Sequence, residues 1–206
     1  AENNLPYQKA FLRKNELISY LRKKNFENLD GLSQVTVITG KASFISSHEV
    51  GVKLLQSDKE IAVSATNIFI NTGSQPFLPE IEGIQTSTKI FTSATLMEQA
   101  VLPEKLIIIG AGYIGLEFAD MYAKFGAEVT LLDSGESFLP KEDKDIADAV
   151  LKVLMDKKIK LINNASVEKV ADSNKNTVVV DYKDKDGNKI ELDATAVLVA
   201  TGRKPF

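Results

Sequence analysis

Residues 105–133 read KLIIIGAGYIGLEFADMYAKFGAEVTLLD. The order is apolar strand, glycine turn, helix, second strand, acid. Leu106–Ile109 is an unbroken apolar run, the pattern of a parallel strand buried on both faces. Gly110, Gly112 and Gly115 make G-x-G-x-x-G at the turn into the helix. Asp133 follows Gly110 by 23 residues (133 − 110) and closes the second strand. The glycine motif alone is weak. With a strand before it, a helix after it and an acid at that distance, it predicts a dinucleotide site on a βαβ unit.

The spacing has a physical reading. Gly110 permits the tight turn, Gly112 leaves room for a pyrophosphate against the backbone, and Gly115 lets helix and strand pack closely. Ile114, inside the motif, is placed with the glycines as cofactor-binding. The helix N-terminus offers free N–H groups and partial positive charge to phosphates. The Asp133 carboxylate accepts from ribose hydroxyls and repels a 2′-phosphate. No Arg lies between Asp133 and Lys160 to welcome that phosphate. NAD(H) is therefore expected over NADP(H). The competing reading is a purely structural βα turn.

The 206 residues suffice for one large domain or two small ones, and 44% are hydrophobic, enough for a sizeable core. Net charge is −3, and the short basic pieces Arg22-Lys23-Lys24 and Lys157-Lys158 read as solvated helix ends, so no nucleic acid partner is expected. No apolar run reaches membrane-spanning length and no signal peptide opens the chain, so no membrane partner and a cytoplasmic location are expected. There is no cysteine, which excludes disulfides, thiolate catalysis and Cys-based metal sites within these residues. No metal site is expected. The single histidine, His48 in SSHEVG, reads as a solvated loop residue.

The fold class expected is α/β: a Rossmann-like three-layer domain with a β meander, plus an incomplete second portion. Tyr7 to Asn25 has helical spacing, with Tyr7, Phe11, Ile18 and Leu21 on one side and Leu17 beside them. VTVITG, ASFIS and EVGVKLL then read as strands between residues 34 and 70, and Ile68–Ile70 as a buried strand. Pro76 and Pro79 mark a link, and a short helix is expected near Ser93–Gln99. After Asp133, Asp143 is placed to cap a helix over Lys144–Lys157, with Ile146, Val150, Val153 and Leu154 inward. Lys160–Ile162 reads as a third strand. A meander follows over Val167–Ala171, Thr177–Tyr182 and Lys189–Leu192, with a tight turn at Asp186-Gly187. Ala196–Ala200 returns as a buried strand.

Two tails echo each other. Thr72–Phe77 and Thr201–Phe206 share T-G-x-x-P-F, and each follows an apolar strand behind a meander. Chance similarity of two proline turns is the alternative.

Taken together, G-x-A-x-F at Gly40–Phe44, GAGYIGLEFA at Gly110–Ala119, LPxxDxDI at Leu139–Ile146, ATGRKP at Ala200–Pro205 and the two tails resemble the pyridine nucleotide–disulfide oxidoreductase family. This is the FAD flavoprotein group of dihydrolipoamide dehydrogenase, glutathione reductase and mercuric reductase. RKKNFENL and IFINTGSQP look most like its mercuric-reductase-like branch, which protects bacteria against reactive chlorine. The resemblance implies a homodimeric parent flavoenzyme in which hydride passes from NADH to FAD and then to a disulfide or other acceptor. In that family the redox cysteines precede, and the dimerisation domain follows, the part matched here. The chain is thus expected to be a central piece: 1–101 part of the FAD-binding domain, 102–200 the NAD(H)-binding domain, 201–206 the return to the FAD domain. It is expected to be inactive alone, and to expose apolar surface around Phe77, Phe91 and Phe206.

Further residues are implied by the same resemblance. Tyr113 matches the aromatic covering the nicotinamide pocket, and Glu117 the glutamate near nicotinamide and flavin. Val167 is matched to the adenine side. Thr201 and Gly202 end the last NAD-domain strand, where the backbone can approach a ligand, and Arg203 resembles the family residue near the FAD. Ala42, Thr72 and Gly73 match backbone positions around the FAD adenosine. Asn71 departs from the family's usual Ala. Two other functions stay open: a stand-alone NAD-binding or redox-sensing module, and a segment of a flavin NADH oxidase.

Overall fold

The computed structural model describes residues 5–173 and 176–206. The chain divides into two compact units, one formed by Ala1–Leu12 with Gly73–Phe206 and the other by Arg13–Thr72.

Helix α1 spans Leu5–Asp30. It is longer than the apolar spacing alone suggested, running on through Phe26–Asp30, and Pro6 falls in the first turn, where its missing N–H costs nothing. Exposed pairs support it: Glu27 takes Lys24 at 3.1 Å and Lys23 at 3.7 Å. The helix stops at Gly31, whose N–H still reaches the Glu27 carbonyl.

In the Arg13–Thr72 unit an antiparallel sheet follows, with β1 (Gly40–Ser46), β2 (Glu49–Leu54) and β3 (Glu60–Ser64) in that order. Two strand expectations fail here. VTVIT (35–39) forms no strand, and β1 begins at Gly40. Ile68–Ile70 is also without strand structure, and Phe69 is 93% exposed. An apolar run becomes a strand only where a ladder satisfies its N–H and C=O groups. No strand pairs with either run among the described residues.

The second unit is built on a five-stranded parallel sheet in the order β5-β12-β6-β7-β8. Its strands are β5 (Ile90–Phe91), β6 (Lys105–Ile109), β7 (Glu128–Leu132), β8 (Lys160–Ile162) and β12 (Ala196–Val199). Helix α2 (Ser93–Leu96) precedes β6, α3 (Tyr113–Phe125) crosses from β6 to β7, and α4 (Lys144–Asp156) from β7 to β8. The meander β9 (Ser166–Asp172), β10 (Val178–Lys183) and β11 (Lys189–Ala194) crosses from β8 to β12.

The period of two along each strand divides the core in two. Leu106, Ile108, Val129, Leu131 and Leu198 pack with Phe118, Tyr122 and Leu154 of the helices. Ile107, Ile109, Leu132, Val197 and Val199 pack with Val170, Val178, Val180 and Tyr182 of the meander. The layers are helix, sheet and meander, as the sequence predicts.

Several details depart from expectation. Asp143 stands at the N-cap of α4 but makes no side-chain cap hydrogen bond. Of the four residues placed inward on α4 only Leu154 is buried; Ile146 and Val153 are exposed, since the helix meets the sheet along one narrow line. Phe91 packs against the helix-side core rather than standing exposed, because β5 joins the sheet edge beside β12. Phe77 and Phe206 are exposed as expected.

The two T-G-x-x-P-F tails meet. β4 (Ser74–Pro76) and β13 (Arg203–Pro205) pair antiparallel, Gln75 opposite Lys204. The Phe77 N–H donates to the Gly202 carbonyl at 3.0 Å, and the Phe206 N–H donates to the Gly73 carbonyl at 3.3 Å. Equivalent residues thus bond reciprocally. Gly73 (φ +78) and Gly202 (φ +119) take the left-handed conformation at the start of each tail.

Candidate functional site

The C-terminal ends of β6, β7 and β12 open into a cavity of about 610 Å³. Such a crevice, at the carboxyl ends of parallel strands where the strand order reverses, is where open α/β sheets take ligands. Here the reversal falls between β6 and β12, which chain order separates by the whole meander.

One wall is the turn from β6 to α3. Gly110 adopts φ +103, and a Cβ there would lie 2.6 Å from the Ala200 carbonyl oxygen, so neither its conformation nor its neighbour admits a side chain. A Cβ on Gly115 would lie 2.1 Å from the Gly110 carbonyl oxygen. That contact presses α3 against the strand end. Gly112 differs: no atom lies within 4 Å of a Cβ placed on it. It lines the cavity and is the N-cap of α3, so the open space lies at the helix start, where the first N–H groups have no intrahelical partner.

The opposite wall carries Asp133. Its N–H donates to Ile162 and its carbonyl accepts from Ala165, fixing the end of β7 between β8 and the meander. Its Oδ1 accepts from the Ala111 N–H at 3.3 Å. Ser134 continues this wall. The predicted residues Gly110, Gly112, Tyr113, Ile114, Asp133, Val167, Thr201 and Gly202 all line the one cavity.

The remaining expectations lie elsewhere. Gly115 sits beneath the turn, buried. Glu117 is exposed on α3 and lines no part of the cavity. Arg203 is turned along the ribbon: its Nε donates to Ser74 Oγ at 2.8 Å and its Nη2 to the Ser74 carbonyl at 2.6 Å. Gly73 belongs to that ribbon, while Ala42 on β1 and Thr72 belong to the other unit, both exposed.

Sequence reasoning missed the loop-borne walls Ile81 and Ala165. Ile81 is placed by its neighbours. Glu82 bridges Lys169 of β9, with a 2.7 Å ion pair between their side chains. At Gly83 (φ +83) a Cβ would come within 1.9 Å of the Val170 carbonyl oxygen. A glycine two residues after an apolar residue, behind the proline link, was the available signal.

The helix layer behind the site is held by polar links. Asp120 of α3 takes Lys124 at 2.7 Å and Lys157, beyond α4, which together hold its carboxyl below the usual range. Tyr7 donates to the Gln99 carbonyl at 2.7 Å and meets Phe125 edge-on. Burial pushes the hydroxyl of Tyr122, which donates to the Leu96 carbonyl, far above the usual tyrosine range.

Residues 2–206 match the family described as pyridine nucleotide-disulphide oxidoreductase. The chain belongs to that family. It is 40% identical over 205 residues to the probable pyridine nucleotide-disulfide oxidoreductase RclA of Escherichia coli, covering 100% of this chain and 45% of that one. It is 33% identical to the mercuric reductase of Lysinibacillus sphaericus, over 94% of this chain and 34% of that one. The solved structure of the HOCl-induced flavoprotein disulfide reductase RclA from Escherichia coli superposes with a TM-score of 0.86 over 96% of this chain and 43% of that one, at 40% identity. LpdA from Mycobacterium tuberculosis superposes at 0.83 with 25% identity, over 96% of this chain and 43% of that one. The chain therefore spans less than half the length of these family members. No described helix is long and apolar enough to cross a membrane.

Proposed function

We propose that residues 102–200 bind NAD(H), within an FAD-dependent oxidoreductase whose flavin-binding portion includes 1–101 and resumes at 201–206. The observation that carries this reading is the pairing, across one cavity, of open-faced Gly112 at a helix start with the Asp133 carboxylate. The residues present suit a dinucleotide. Gly112 leaves a cradle that a Cβ would fill, and the first N–H groups of α3 point their partial charge at it. Asp133 is held by Ala111 through Oδ1, which directs the carboxylate toward ribose hydroxyls and against a 2′-phosphate. Val167, Tyr113 and Gly202 line the same cavity, and family likeness assigns Val167 to the adenine side and Tyr113 to the nicotinamide side.

A bound nicotinamide would supply hydride chemistry to a flavin in the parent enzyme. The chain's own part is to bind, orient and shield. With no cysteine among its 206 residues, it carries no thiol of its own to pass electrons to a disulfide. We therefore expect it to be inactive alone. Glu117, Arg203, Ala42, Thr72 and Gly73 are assigned to the flavin side on family likeness.

Calorimetric titration with NADH and, separately, NADPH tests the reading. Binding of NADH with clear preference supports it. Equal binding of both removes the role given to Asp133, and binding of neither removes the NAD(H) assignment.

A further inference from the structure

The Tyr113 hydroxyl donates a 2.5 Å hydrogen bond to the Glu142 carboxylate. Tyr113 opens α3 and lines the cavity; Glu142 lies in the loop before α4 and lines none of it. The tyrosine is 66% exposed, so packing does not fix its ring. An exposed side chain left to itself samples several rotamers.

Glu142 is itself held in place. Its N–H donates to the Leu139 carbonyl at 3.0 Å, closing a turn in which Leu139 adopts φ +46. Leucine is disfavoured in that left-handed region, and a residue preceding proline, as Leu139 does, is pushed toward extended backbone. Such strain persists only where the surroundings impose it, and it collects at ligand clamps. A strained turn, its backbone bond and a charged acceptor thus converge on one phenol at the cavity edge. The bond also joins the two loops that begin at Gly110 and at Asp133, the opposite walls of the cleft.

We propose that Glu142 is a positioning residue that fixes the Tyr113 ring as a ready-made wall of the cleft and thereby strengthens dinucleotide binding. This rests on the NAD(H) reading above. A ring ordered before the ligand arrives loses less freedom when it binds. The same bond, and the nearby negative charge, hold the Tyr113 phenol above the ordinary tyrosine range.

The test is titration of NADH into the full chain and into Glu142→Ala, Glu142→Gln, Tyr113→Phe and the double variant Glu142→Ala/Tyr113→Phe. Glu142→Ala and Tyr113→Phe should each weaken binding by about three- to tenfold, the effect of one side-chain hydrogen bond. The double variant should be no weaker than either, since both remove the same contact. Glu142→Gln keeps a carbonyl acceptor and should recover most of the affinity. The chain has five tyrosines and no tryptophan, so phenolate absorbance compared with Tyr113→Phe isolates this one group. Its titration should move down in Glu142→Ala. Equal NADH affinity in wild type and Glu142→Ala, or losses that add in the double variant, overturns the inference alone. A wild-type chain that binds no NADH overturns the NAD(H) reading and this inference with it.

Discussion

Asp133 and Ala111 are joined across the mouth of the cleft by a 3.3 Å hydrogen bond from the Ala111 N–H to Asp133 Oδ1. The bond ties the end of the second strand to the glycine turn after the first, so the acid expected to meet ribose is positioned by the turn expected to meet phosphate. Replacing Asp133 with Arg removes the acceptor and supplies a phosphate ligand in its place. NADH should bind at least tenfold more weakly, about 1.4 kcal/mol, and NADPH should become the preferred ligand. Unchanged NADH affinity in a competition titration would remove Asp133 from the ribose site.

Gly112 and Gly115 should separate binding from stability. A Cβ on Gly112 meets nothing within 4 Å, so Gly112→Ala should leave the melting temperature unchanged and weaken NADH strongly. A Cβ on Gly115 would lie 2.1 Å from the Gly110 carbonyl oxygen, so Gly115→Ala should push α3 off the sheet. The expected loss is about 2–3 kcal/mol, the range of an overpacked core. Paired thermal melts and titrations decide it; a destabilised Gly112→Ala would contradict the open cradle.

Gly135 lies where a Cβ would stand 2.9 Å from Asp133 Oδ2 and 3.5 Å from the Ser137 carbonyl oxygen. The atom met is the end of a side chain held by one 3.3 Å hydrogen bond, which can give way, so Gly135→Ala should cost little stability, within about 0.5 kcal/mol. It should nevertheless displace the carboxylate and weaken NADH. Wild-type affinity in this variant would show that the carboxylate's exact orientation is unimportant.

Asp172 accepts from the Thr88 N–H at 3.0 Å, from the Thr88 hydroxyl at 2.8 Å and from the Ser87 hydroxyl. These bonds hold its carboxyl below the usual aspartate range, the Ser87 hydroxyl most of all. A folded-state value below the unfolded one stabilises the protein above the unfolded value, near about 3.9, and the gain is lost as pH falls through the folded value. Wild type should therefore exceed Asp172→Asn in urea midpoint at neutral pH, and the gap should close below about pH 4. A gap that persists undiminished into strong acid would assign the effect to neutral hydrogen bonding.

The parallel sheet was legible because its strands bury both faces: Leu106–Ile109 and Ala196–Val199 read as apolar runs whatever lies beside them. The glycine turn was legible because three positions forbid or omit a Cβ for reasons that local spacing encodes. Ile68–Ile70 is as apolar as those strands, yet apolar character does not supply a pairing partner, and none runs beside it among the described residues. The inward face of α4 was overdrawn because helical period marks an apolar stripe without saying how wide a surface it meets. Ile81 and Ala165 could not be read as walls, since loops reach the cavity through a distant bridge between Glu82 and Lys169. The Tyr113–Glu142 bond was equally hidden, joining residues 29 positions apart through a turn no propensity favours at leucine.

The reciprocal bonds between Phe77 and Gly202 and between Phe206 and Gly73 mean that the stretch running from Gly73 comes back at its end to the place it left. Everything between is a closed excursion whose two ends lie one strand spacing apart, about 5 Å. The chain therefore leaves and re-enters this ribbon at one place, and Tyr7, which reaches Gln99 from outside the stretch, is the separate strap that completes its core.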